Sequence, residues 1–220
     1  MGIVLKQSFV NTIILFLGFA IGGINVLFLY TNFLHEDYYG LITFLLSSAN
    51  IILPLLVFGM QHTIIKFYSA YKTQHEKDEF LTASLFVPLL IIIPLALIGA
   101  FTYESIAHWL SRENAIIEPY TYLIFLVAIF MGYFEVFYSW SKVQLQSVFG
   151  NFIKEIFARV AAMILLILVY LEQLSEVQFV YAIVIVYGIR MLIMMVYAFS
   201  IYRPNFRFKR PKNFSEILET

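Results

Sequence analysis

The stretch Val177–Tyr202, VQFVYAIVIVYGIRMLIMMVYAFSIY, is 26 residues long and apolar almost throughout, yet it holds Arg190 at its middle. A helix of this length covers roughly 39 Å, enough to cross about 30 Å of hydrocarbon. Its guanidinium then lies about a dozen residues, roughly 18 Å, from either interface, too far for snorkelling to relieve. Placing an arginine there on a lone helix costs roughly 3 to more than 10 kcal/mol, so Arg190 requires a partner or a wet cavity.

Composition agrees with a membrane setting. The 220 residues are 61% hydrophobic and 13% charged, against about 25% charged in soluble domains. There is no cysteine, which excludes disulfides, zinc-thiolate sites and cysteine nucleophiles.

Working outward from Val177–Tyr202, five more runs are long and apolar enough to cross a bilayer. The six expected spans cover about 8–30, 41–60, 81–101, 120–140, 152–171 and 177–202, followed by a basic tail at 203–220. The fold class is therefore an all-α integral membrane protein. The first run exceeds the h-region of a signal peptide and no small-residue cleavage site follows, so it is expected to be retained. Lys6 stands where a myristoylation signal requires serine or threonine.

Formal neutrality conceals an uneven distribution. With the N-terminus inside, the inner ends and loops hold twelve basic residues, among them Lys66, Lys72, Lys77, Lys142, Lys154, Arg203 and Lys212, against Arg112 alone outside. The outer loops instead carry Glu36, Asp37, Glu104, Glu113, Glu118, Glu172 and Glu176. Positive residues favour the cytoplasmic side, so both termini are expected there.

Two spans carry polar faces. Ser8, Asn11, Gly18, Gly22 and Asn25 share one side of the first helix. That side either packs closely through Gly18-x-x-x-Gly22, with asparagines bonding across helices, or lines a cavity. Thr43, Ser47, Asn50, Pro54 and Gln61 make a similar stripe on the second, followed by His62 and Lys66, and Pro54 with Gly59 is expected to bend it. Glu135 and Arg159 fall at matching depths on adjacent spans. Either Glu135 pairs with Arg159 or Arg159 bonds Glu155 at i, i+4, both structural roles; the competing reading gives Glu135 to substrate or proton handling. In the first case Arg190 has no acid at its own depth, which suits an anionic substrate.

Enzyme motifs are missing: no H-E-x-x-H, G-x-S-x-G, P-loop or G-x-G-x-x-G occurs, and the four histidines lack ligand spacing. No catalytic residue, metal or cofactor is expected. The basic tail has the membrane-proximal placement of a topology signal rather than of a nucleic-acid site.

Several stretches, taken together, carry a family resemblance. Gln7-Ser-Phe-Val-Asn11, Tyr39-Gly40-Leu41, Asn50-Ile-Ile-Leu-Pro54, Thr63-Ile-Ile-Lys66-Phe-Tyr-Ser69 and Gln146-Ser-Val-Phe-Gly150-Asn151, with Glu155 and Arg159, resemble polysaccharide biosynthesis proteins of the Wzx-type flippase group. These belong to the multidrug/oligosaccharidyl-lipid/polysaccharide exporter superfamily. The resemblance implies two six-helix lobes around a central cavity, of which this chain supplies the N-terminal one. It implies a bacterial inner-membrane location and an undecaprenyl-pyrophosphate-linked oligosaccharide as substrate, moved outward for surface polysaccharide or lipopolysaccharide synthesis by alternating access. Arg190 and Lys66 are then the expected anion contacts, with Arg159 third. Asn11, Asn25, Asn50 and Gln61 are expected to meet sugars or water. The implied partners are membrane lipids and a second six-helix lobe, in the same longer chain, a separate chain or a second copy. Asn213–Leu218 reads as a short amphipathic helix leading toward it. An exporter of small amphipathic compounds and a non-transporting scaffold are the competing readings; the first should show carboxylates to its substrate, the second no continuous cavity.

Overall fold

A computed structural model describes residues 2–205. The helix expected at Asn213–Leu218, and Arg207, Lys209, Arg210 and Lys212, lie outside the described residues. The rest is helical. α1 (Ile3–Ile24) passes through a π-helical turn, Asn25–Leu29, into α2 (Tyr30–Phe33). α3 (Glu36–Leu56) and α4 (Met60–Phe67) follow, then α5 (Gln74–Phe86), α6 (Leu89–Phe101) and the short α7 (Tyr103–Leu110). A 3₁₀ turn, Ala115–Tyr120, leads into α8 (Thr121–Val143). α9 (Val148–Phe152) continues through a second π turn, Ile153–Phe157, into α10 (Ala158–Tyr170), and α11 (Glu176–Ile201) ends the described chain.

Five segments are long and apolar enough to cross a membrane: Leu5–Phe33, Glu36–Leu56, Gln74–Phe101, Ala115–Val143 and Glu176–Ile201. The sixth expected span is helical over 148–170, but Lys154, Glu155 and Arg159 crowd its first half, and it is not among these five.

Local chemistry accounts for the boundaries. Ser175 caps α11 through a box with Gln178, and Thr73 caps α5 through a box with Glu76, which starts that helix well before the expected position 81. α3 begins at Glu36, whose charge and that of Asp37 suit a helix N-terminus. It stops after Leu56 because Pro54 cannot donate to the carbonyl four residues back, and the chain then turns through Phe58 (φ 50°) and Gly59 (φ 63°). The expected bend is thus a full break. α4 restarts beyond it.

α8 is the hub, packing against α3, α4 and α11. Val127, Ala128, Phe134, Val136 and Trp140 on α8 are fully buried, as are Phe179, Val180, Met194 and Ala198 on α11. Small residues set the closest approaches: a Cβ on Gly132 would strike Val57, and one on Gly150 would enter the Tyr138 ring. Elsewhere the surface is apolar, with Phe16, Phe19, Ile51, Leu90 and Phe101 each at least 70% exposed. Outward-facing side chains of this kind suit acyl chains as solvent, not water.

At the end of the bundle carrying Lys72 and Lys77, the Tyr202 hydroxyl donates to Asp78 Oδ1 at 2.8 Å and accepts from Gln74 Nε2 at 2.7 Å, tying α5 to the end of α11. Burial, and then the Asp78 hydrogen bond, push the Tyr202 phenol above its ordinary range.

A charged cavity among the membrane helices

Between α3, α8, α10 and α11 lies a cavity of about 220 Å³, walled by Asn50, Glu135, Lys154, Glu155, Arg159, Tyr187 and Arg190. Lys154, Glu155 and Arg159 all reach it, although successive residues of an α-helix point about 100° apart. The π turn Ile153–Phe157 adds a residue to that turn and lets one face hold all three.

Arg190 is 6% exposed. Its guanidinium carbon lies 4.0 Å from the centre of the Phe134 ring and 5.4 Å from that of Tyr187, a desolvated cation–π stack. Nε is buried with no hydrogen-bond partner. Among the described residues Arg190 makes no ion pair; Glu135 and Glu155 act on it only through space.

The pairing of the other charges corrects one of the two expectations. Glu135 Oε1 is bound by Lys154 Nζ at 2.6 Å and not by Arg159. Arg159 Nη1 instead donates to Glu155 on its own helix, at 2.7 Å to Oε2 and 2.7 Å to the backbone carbonyl. Arg159 is held there by α1. A Cβ on Gly18 would come within 2.5 Å of its Nη1, and one on Gly22 within 3.0 Å of its Nε. The Gly18-x-x-x-Gly22 face therefore accommodates an arginine side chain and the Glu155 backbone, not bare helix-to-helix contact. Asn25 Nδ2 donates to the Arg159 carbonyl at 2.7 Å, at the start of the π turn in the first span.

A second pocket, about 160 Å³, adjoins the first and shares Ala158, Arg159 and Tyr187 with it; Gly22, Asn25 and Tyr30 complete its polar lining. The two lie side by side along α10.

Three expected contacts lie elsewhere. Lys66 is exposed at the end of α4 with its ammonium 5.0 Å from the Phe67 ring centre, because the break at Phe58–Gly59 carries α4 away from the cavity. Gln61 is buried on that helix and does not line the cavity. Asn11 Nδ2 donates to Ser147 Oγ at 3.0 Å, and its carbonyl accepts from Asn151 Nδ2 at 3.1 Å, so it fastens α1 to α9. Asn25, Asn50, Arg159, Glu135 and Arg190 do line one or other of the two pockets. Lys154 and Tyr187 were not expected there. Tyr187 stands one helical turn before Arg190, which is the signal for it, whereas Lys154 reads from sequence as an interfacial cation.

The ion pairing can be tested by a double-mutant cycle on thermal stability. Glu135 and Lys154 side chains are 16% and 38% exposed, so their coupling is expected to be about 1 kcal/mol. Glu135→Ala with Lys154→Ala should therefore be less destabilised than the sum of the two single changes. Glu135→Ala with Arg159→Ala should be additive; the reverse pattern would restore the Glu135–Arg159 pairing.

Comparison with protein-family models, with curated proteins and with solved structures finds no match. The flippase resemblance accordingly rests on the stretches of sequence quoted for it. What sequence and structure establish together is an all-α, multi-pass membrane protein with a charged cavity among its helices, an arrangement consistent with a transporter-like role.

Proposed function

We propose that the chain forms one six-helix lobe of a transporter, 148–170 serving as the sixth span, and that it moves undecaprenyl-pyrophosphate-linked oligosaccharide across the bacterial inner membrane. The observation that carries this reading is Arg190: a buried, permanently charged group on a membrane-spanning helix, without an acidic partner among the described residues, at the wall of a cavity. Buried charges in membrane helices mark substrate paths by default. Three cations against two carboxylates leave this cavity positive, which suits a pyrophosphate and repels a cationic drug.

The outer face of α3 supports a wet path. Gly40, Thr43, Ser47, Asn50 and Pro54 are exposed along one side of it. Among the described residues the side chains of Thr43, Ser47 and Asn50 make no hydrogen bond. Unpaired polar groups facing hydrocarbon are costly, so this side fits water, sugar hydroxyls or a second lobe. Substrate would enter at the end bearing Lys142 and Lys154, with its phosphates at Arg190 and Arg159, while the prenyl tail stays in the bilayer. Rocking against a second lobe would then open the path to the other side.

Ligand preference tests the proposal. The purified chain in detergent should bind a fluorescent short-chain prenyl-pyrophosphoryl N-acetylglucosamine, with affinity falling as salt rises. A quaternary-ammonium dye of similar hydrophobicity should bind poorly. Preference for the dye would sink the reading in favour of an exporter of amphipathic cations.

A further inference from the structure

The charge inventory of the cavity points to a second, smaller ligand. Lys154, Arg159 and Arg190 face Glu135 and Glu155, one positive charge in excess. A disubstituted pyrophosphate brings two negative charges that do not titrate near neutral pH. Its arrival would turn the cavity to one negative charge in excess, among helices where water screens poorly.

The two carboxylates differ in how firmly they are held. Glu155 is bound by Arg159 within one helix, and Arg159 is wedged over Gly18 and Gly22. Glu135 depends on Lys154, a flexible side chain that is 38% exposed and joins it across helices at 2.6 Å. The incoming anion competes with Glu135 for that ammonium. We propose that binding of a pyrophosphate-linked ligand draws Lys154 away from Glu135 and that Glu135 takes up one proton in the same step, so that ligand and proton bind together.

This inference rests on the anion reading of the cavity. The proton comes from water, converts the Glu135 carboxylate to a neutral carboxyl, and leaves no bond broken other than the ion pair. Every charged or titratable neighbour is consistent with this exchange. The turn 153–157 supplies Lys154 and Glu155, α10 supplies Arg159, and α11 supplies Arg190 and Tyr187, while α3 offers only the neutral Asn50. On α8 itself Tyr138 and Lys142 act on Glu135 through space. Lys142 lies seven residues, about 10 Å, further along the helix, with its ammonium 3.9 Å from the Tyr138 ring centre. Among the described residues the ion pair to Glu135 is made by Lys154 and not by Lys142.

The sign follows from linkage. If the complex holds one more proton than the free protein, affinity weakens as pH rises, by up to about tenfold per pH unit. The test is the dissociation constant of the full chain for prenyl-pyrophosphoryl N-acetylglucosamine between about pH 6 and pH 9, a range in which carboxyl linkage is separable from lysine titration. The wild type should show the rise. Glu135→Gln, which keeps the shape and an oxygen for Lys154, should bind with no pH slope and at least as tightly as the wild type does at the acid end. Glu155→Gln should keep the slope. A flat wild-type profile overturns the proposal and leaves the anion site standing, as does a slope that persists in Glu135→Gln or vanishes only in Glu155→Gln. If sodium at high pH restores tight binding as acid does, the second ligand is a metal cation and the proton assignment is overturned. No binding at any pH sinks the anion reading, and this inference with it.

Discussion

Arg190→Met is expected to weaken binding of a pyrophosphate-linked saccharide on the order of 100-fold while leaving the protein as stable as the wild type, or more so. Arg190 has no carboxylate partner among the described residues, so its removal orphans no opposite charge. The site is nearly closed around it, with Phe134 fully buried against the guanidinium. Exchanging a desolvated charge for an apolar side chain of similar length often leaves stability unchanged or raises it by about 1–4 kcal/mol. Binding should respond in the opposite direction. Losing two charge-assisted bonds to phosphate is worth about 3 kcal/mol, on the order of 100-fold in affinity. Arg190→Lys should recover part of this, since lysine keeps the charge and loses the planar fork. Isothermal titration alongside a thermal melt separates the outcomes: a large fall in melting temperature together with normal binding would make Arg190 a structural residue.

Gly150→Ala should destabilise the bundle although it favours the helix. In an exposed helix the exchange gains about 1 kcal/mol in propensity. Here the new methyl would enter the Tyr138 ring. That ring is 4% exposed, lies 5.9 Å from Phe134 between ring centres and carries the Lys142 ammonium on a face, so it has little room to yield. Overpacking of this kind costs about 1–3 kcal/mol, which outweighs the propensity gain. The net loss should lower the melting temperature by several degrees, at roughly 2–4 °C per kcal/mol for a chain of this size. Gly99→Ala is the control: its Cβ would meet nothing within 4 Å, so only the propensity gain remains. Equal melting temperatures for the two variants would show that the α8–α9 contact is looser than the geometry states.

How far the cavity was legible can be judged from individual residues. Arg190 was readable because a charge amid 26 otherwise apolar positions violates the pattern of a membrane helix, and that violation has a physical cost wherever the helix is placed. Pro54 and Gly59 announced a bend for the same local reason: a missing N–H and a left-handed φ of 63° act whatever the neighbours are. Lys66 was placed at the cavity by the resemblance alone, and two successive left-handed residues, Phe58 and Gly59, turn α4 elsewhere. For Asn11 the sequence left cross-helix bonding and cavity lining open, since both have the same spacing; the position of Ser147 and Asn151 selects the first.

The sequence by itself determined the all-α class, most of the apolar spans and the presence of a cation deep in one of them, since these follow from period, length and the cost of charge in hydrocarbon. Only the tertiary structure decided which carboxylate meets which cation. Depth along the helices allowed Glu135 to pair with Arg159, but the π turn at Ile153–Phe157 brings Lys154 to Glu135, and Gly18 and Gly22 hold Arg159 against Glu155. Ion pairs are settled over a few ångströms, by the rotation of one helix against another, and that rotation comes from small residues and irregular turns packing together far apart in the chain.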